Sequence, residues 1–173
     1  MNINDLFCES SFKDLYQSTV KSFPLTTKRQ YAIDPIKIVS LKWIPYVGVK
    51  TLYIKGLAQN TDNSKEYNPL ILFKKISYLT KKSANSVEIL DDNQKKYIIN
   101  KIVNNDILVR CDCKDFYWRG NYADHLDKSL YGTKRSPYKG TTGISVNPKN
   151  DSMVCKHLIK LYKVLSQSGL LKI

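Results

Sequence analysis

Two stretches decide how this chain reads: ILVRCDC at residues 107–113 and VCKHLIKLYKVL at residues 154–165. The first starts as a β-branched, apolar strand and ends in Cys111-x-Cys113. On an extended chain residues i and i+2 face the same side, so both sulfurs can meet at one point. The second places Cys155-x-His157 where a loop enters an amphipathic helix, whose partly positive N-terminus favours a thiolate. Three thiolates and one imidazole are the donors of a closed tetrahedral site, the arrangement that structural zinc prefers. Cys111, Cys113, Cys155 and His157 are therefore the expected ligands of a structural Zn2+. Such a staple contributes on the order of 10 kcal/mol of binding to folding in small peptides. The bland alternative is three buried thiols beside an unrelated histidine. Against it, three of the four cysteines and one of the two histidines fall into two x-spaced pairs. The leftover Cys8 reads as a packing residue, and His125 as a spare candidate ligand.

Outward from these pairs, the pattern predicts an α+β fold: a small β-meander core, a zinc-stapled C-terminal helix and an N-terminal helix. Residues 1–27 form the N-terminal arm. Phe7, Leu15, Tyr16, Val20 and Phe23 recur at helical spacing, with Asn4 as the expected N-cap and Pro24 as the stop. That helix has two possible uses, docking on its own domain or reaching a neighbour. Residues 28–82 are β-rich, with strands at 36–47, 50–58 and 70–79 and a turn at Gly48. Pro45 implies an edge, a bulge or an early end to its strand. Residues 83–173 hold the zinc-binding region, with meander strands near 86–90, 95–102 and 107–112, then a short helix at 114–125. A Gly/Pro/Ser/Thr-rich loop spans 128–150, a length that usually signals function or external support. The final helix carries Leu158, Leu161, Tyr162 and Leu165 on one face and stops at Gly169. Phe116, Tyr117 and Trp118 are expected to pack around the metal site.

Charge narrows the partner. The 173 residues hold 28 Lys+Arg against 15 Asp+Glu, a formal excess of +13, and only four of the bases are arginines. The excess falls in two places: residues 28–82 carry eleven bases against three acids, and residues 128–173 nine bases against Asp151. This points to acidic neighbours or nucleic acid. Lysine gives a hydrated point charge where base readers use arginine forks, and A/T-rich coding would produce the same Lys, Asn and Ile bias. Lys134, Arg135, Lys139, Lys149 and Lys156, interleaved with Tyr131 and Tyr138, are the candidate polyanion or partner contacts; a solvated lysine face is the alternative. No apolar run reaches the roughly 18 residues of a membrane span, and the first 25 residues show no signal-peptide pattern. No oxyanion motif, G-x-S-x-G, H-E-x-x-H, P-loop or paired-carboxylate constellation is present, so neither enzymatic activity nor a small-molecule substrate is expected.

The C-x-C…C-x-H pattern resembles the SWIM-type zinc finger over about residues 86–165. In that family a β-meander delivers the first pair and a helix the second, which implies nucleic-acid or protein binding. The 41 residues between the pairs exceed the family's usual short spacing. The strings VRCDCKDFYWRGNYADHLDKSLYG, NPKNDSMVCKHLIKLYKVL and YNPLILFKKISY are similar to small virion proteins of tailed, crAss-like bacteriophages with a SWIM-like zinc site. That resemblance implies a head-to-tail connector or ring component, found in the virion after synthesis in the host cytoplasm. Its partners would be a homo-oligomeric ring and neighbouring portal, connector or tail proteins, with DNA possible nearby. A SWIM-type nucleic-acid-binding module is the other implied role.

Overall fold

The computed structural model describes residues 10–24, 31–60, 65–138 and 145–172. It has mixed α and β content, with two antiparallel sheets and helices toward both ends of the chain.

Helix α1 runs Phe12–Ser22. Its N-cap is Ser11, whose hydroxyl accepts from the Asp14 amide while the Asp14 carboxylate accepts from the Ser11 amide. This reciprocal pair satisfies two donors that a helix start otherwise leaves open. The expected cap, Asn4, and the stripe residue Phe7 lie outside the described residues, and the helix begins later than the periodicity implied. Phe12, Leu15 and Thr19 are buried, whereas Tyr16 faces outward. The arm docks on its own domain. Phe12 stacks on Tyr162 with ring centroids 3.9 Å apart, and Thr19 Oγ1 accepts from the Val154 amide at 2.9 Å.

Strands β1 (Ile36–Tyr46) and β2 (Thr51–Asn60) form a long hairpin around a 3-10 turn at Val47–Val49. β1 is an edge strand with a register shift between Ile38 and Ser40, and Pro45 pairs opposite Leu52. The edge position accommodates a residue that has no amide to donate. β3 (Glu66–Tyr67) and β4 (Leu70–Phe73) both pair with β2, and β4 pairs with β8 (Ile107–Arg110). The sheet order is β1-β2-β4-β8. A second sheet, ordered β5-β7-β6, contains β5 (Tyr78–Leu79), β6 (Ser86–Leu90) and β7 (Lys96–Asn100).

Two expectations about strands are corrected here. The run 70–79 is not one strand: Lys75 takes a left-handed φ of 55°, and the chain leaves the first sheet after Phe73 to enter the second at Tyr78. The three strands expected as a meander also divide, because β6 and β7 pair with each other while β8 crosses to β4. The first sheet thus joins residues from the 28–82 and 83–173 regions.

After Cys113 one π-helical turn (Phe116–Gly120) leads into α2 (Asn121–Leu126), close to the expected helix. α3 spans Lys156–Gln167, and Gly169 follows it at φ +81°, the left-handed backbone that ends helices and that glycine adopts without strain. α3 lies over the first sheet; a Cβ at Gly56 would stand 3.1 Å from Leu161 Cδ1, so the glycine admits a close approach. One apolar core joins Leu15, Ile54, Ile99, Ile107, Met153, Leu158 and Leu161. No helix among the described residues is long and apolar enough to cross a membrane.

Candidate metal centre

The four expected ligands come together. The donor atoms of Cys111, Cys113, Cys155 and His157 all lie within 4.8 Å of one another, and all four residues are buried. Cys111 Sγ and His157 Nδ1 are 4.0 Å apart. Such spacing is consistent with a metal site, since donors about 2.0–2.3 Å from a shared ion stand a little under 4 Å from each other.

Each donor is positioned by its element. β8 runs straight into the first pair, and the alternation of an extended chain buries Cys111 and Cys113 while turning Asp112 outward. Asp112 then clamps the knuckle to the turn before β4: its two carboxylate oxygens accept from the Asn68 amide at 2.7 Å and from Asn68 Nδ2 at 2.8 Å. The Phe116 amide donates to Cys113 Sγ at 3.4 Å as the chain turns into its π-helical segment. Cys155 is the N-cap of α3, extended at φ −82° and ψ 166°, and its side chain makes no capping hydrogen bond. The sulfur is therefore available to the cluster. His157 sits in the first turn of α3 under Tyr67, with ring centroids 4.4 Å apart.

The electrostatics favour a cation. Burial pushes the Cys111 and Cys155 thiols well up. Cys113 is driven the other way, because Cys111 and Cys155 can both donate to its sulfur. A divalent ion would let all three sulfurs ionise, with their protons released to solvent. His157 Nε2 is buried with no hydrogen-bond partner among the described residues, a costly state for a ring nitrogen. None of these cysteines is in a disulfide.

His125 stands outside the cluster, on α2, with its ring 6.5 Å from that of Tyr122. Cys8 lies outside the described residues. Of the three aromatics expected around the metal, only Phe116 is buried; Tyr117 and Trp118 are 40% and 41% exposed. These two grip the long loop instead. The Arg135 guanidinium carbon lies 3.0 Å from the Tyr117 ring centroid and 4.5 Å from that of Trp118, and Tyr138 packs on Trp118 at 4.7 Å. Arg135 is half-buried in this stack, Lys134 and Lys149 are exposed, Lys156 is half-buried at the start of α3, and Lys139 lies outside the described residues. Tyr131 turns from this group to meet Tyr53 at 5.5 Å.

Sequence reasoning missed Asp112, Asn68 and Tyr67 as supports of the cluster. The alternation within Cys-Asp-Cys signals that Asp112 points away from the sulfurs. Nothing in the sequence pairs it with Asn68, 44 residues away. No family model, curated protein or solved structure matches this chain.

Proposed function

We propose that the chain is a structural, non-catalytic protein whose Cys111, Cys113, Cys155 and His157 hold one Zn2+ as a fold staple. We propose further that it serves as a head-to-tail connector or ring component of a phage virion. The observation that carries the zinc reading is the closed, buried Cys3His donor set. Four protein ligands leave no open position for an activated water, so the ion's work is to tie β8 to α3 and not to catalyse. The virion role rests on the similarity of the strings around residues 67–78, 109–132 and 147–165 to small phage virion proteins. A rigid stapled block with two basic regions is suited to contacts with acidic neighbours in a ring.

Elemental analysis of purified protein is expected to find one zinc per chain. Cys155→Ala is expected to lose the metal and most of the stability. Retention of zinc by that variant would overturn the ligand assignment. Particle fractionation and size-exclusion with mass measurement test the assembly; a chain absent from virions and forming no oligomer removes the connector role. A second reading, a SWIM-type nucleic-acid-binding module, is favoured by the basic 128–173 region, with nine bases against Asp151 and with Lys134 and Lys149 exposed. It requires affinity for single- or double-stranded DNA that falls steeply with salt.

A further inference from the structure

The helix that supplies His157 carries a second feature, one that the cluster does not use. α3 has no acidic residue, and Lys156, Lys160, Lys163 and Gln167 recur along it at helical spacing. At 3.6 residues per turn these four fall within about 60° of arc, and Lys156 to Lys163 covers about 10 Å of the axis. Lys163 and Gln167 are exposed, and Lys156 and Lys160 are half-buried. Half-burial suits side chains whose stems lie along the helix while the ammonium stays in water. The opposite arc faces the core, with His157, Leu158, Leu161 and Leu165 buried. Ile159 and Tyr162 on the flank also pack against the core, and Tyr162 stacks on Phe12. The fold therefore presents one arc of α3 outward as a straight row of cations. Through Cys155 and His157 the cluster anchors the start of this helix. A row held in place before binding spends little ordering entropy on its partner.

These lysines have no acid of their own. Among the described residues no ion pair involves Lys156, Lys160 or Lys163. Asp115 lies within reach of the Lys156 charge, but its carboxylate is held by Arg119 at 3.0 Å.

The make-up of the arc selects the partner. No large hydrophobic side chain of α3 is exposed, so the row lacks the apolar anchor around which a protein interface concentrates its energy. It also carries no aromatic ring on which an unpaired base could stack, the main grip on single strands. A duplex needs neither. Its phosphates lie outermost at one charge per about 1.7 Å of axis, and hydrated lysine point charges neutralise them singly. α3 has no arginine, whose fork reads guanine edges.

We propose that the outward arc of α3 docks on the phosphate backbone of a nucleic-acid duplex, without regard to base sequence. This docking rests on the nucleic-acid reading of the basic C-terminal region, to which it adds a face and a duplex partner. It is independent of the connector role.

The test is fluorescence anisotropy on the full metal-loaded chain across a salt series. The probes are labelled duplex DNA of two unrelated sequences, a matched single strand and a polyglutamate peptide. Both duplexes are expected to bind alike, and more tightly than the single strand or the peptide. Lys160→Gln combined with Lys163→Gln is expected to lower duplex affinity on the order of tenfold and to flatten the slope of log affinity against log salt by about 2, close to one per lysine. Melting temperature and metal content should stay as in the parent, and lysines with a merely structural role would leave the slope unmoved. Lys81→Gln combined with Lys95→Gln removes the same charge from exposed positions in the turns of the second sheet, and is expected to keep the parent slope. If neither duplex nor single strand binds with salt-sensitive affinity, the nucleic-acid reading itself fails. If DNA binds but the α3 variant keeps the parent slope, or the second-sheet variant flattens it equally, the placement on α3 fails while that reading stands. Tighter binding of the single strand or of polyglutamate than of the duplex overturns the duplex partner.

Discussion

At the scale of single residues, the least expected group is a carboxyl in the core. Asp124 is fully buried; its Oδ1 accepts from the Met153 amide at 2.8 Å, and its Oδ2 has no partner among the described residues. Burial pushes its pKa well above the ordinary carboxylate range, the Met153 amide opposes that, and the charge of Asp127 adds to the rise. Because the folded state holds this proton more tightly than the unfolded chain, the native state binds more protons above the unfolded pKa. The contribution to stability is therefore full at acid pH and declines as pH rises from about 4 toward the raised folded value. Asp124→Asn keeps the acceptor for Met153 and cannot ionise. Its stability relative to the parent is therefore expected to rise as pH increases from about 4. Urea melts across that range check it; a variant whose difference from the parent is the same at every pH would contradict the buried, protonated carboxyl.

Among elements, α1 and α3 depend on each other through one side chain. Thr19 is wholly buried, donates to the Leu15 carbonyl at 2.7 Å and accepts from the Val154 amide at 2.9 Å, one residue before Cys155. Thr19→Val preserves shape and leaves the Val154 amide unpaired, which should cost about 1–3 kcal/mol. Denaturation should register that loss, and hydrogen exchange at Val154 should accelerate more than exchange at Ile54 in β2. Equal exchange at Val154 in both proteins would remove this link between the arm and the ligand-bearing loop. The helical period was legible in the arm, since Leu15 and Phe23 pack inward. Its start was missed. Ser11-x-x-Asp14 is a capping-box pattern that the sequence held locally, whereas the bridge from Ser11 to Asp106 is a long-range contact that no local pattern encodes.

For the whole molecule, the ligands tie together parts that are distant in sequence. Cys113 and Cys155 are separated by 41 residues, and the core they border includes Leu15 from α1, Ile99 from the second sheet and Leu161 from α3. With the proposed Zn2+ bound, a chelator should therefore lower the thermal midpoint by about 10 °C or more, on the order of several kcal/mol at about 2–8 °C per kcal/mol for domains of this general size. Far-ultraviolet dichroism and Trp43/Trp118 fluorescence should fall in one transition. A chelated protein melting at the same temperature would mean that the cluster adds nothing to the fold. The surface ion pair Lys42–Asp92 is about half-exposed on both sides and contributes little by comparison.

The sequence by itself determined the α+β class, the hairpin around Gly48, the final helix ending at Gly169 and the four clustered donors. These follow from short-range causes: β-branched alternation, helical periodicity, the turn chemistry of glycine, and residue pairs at i and i+2. Only the tertiary structure decided that 70–79 divides between two sheets, that β8 crosses to β4, that Asp112 clamps Asn68, and that Tyr117 and Trp118 hold Arg135. Those outcomes depend on which burial and hydrogen bonds win between segments dozens of residues apart. Two nearly identical strand patterns can join different sheets, because a strand carries its period in its own residues and its partner only in the completed fold.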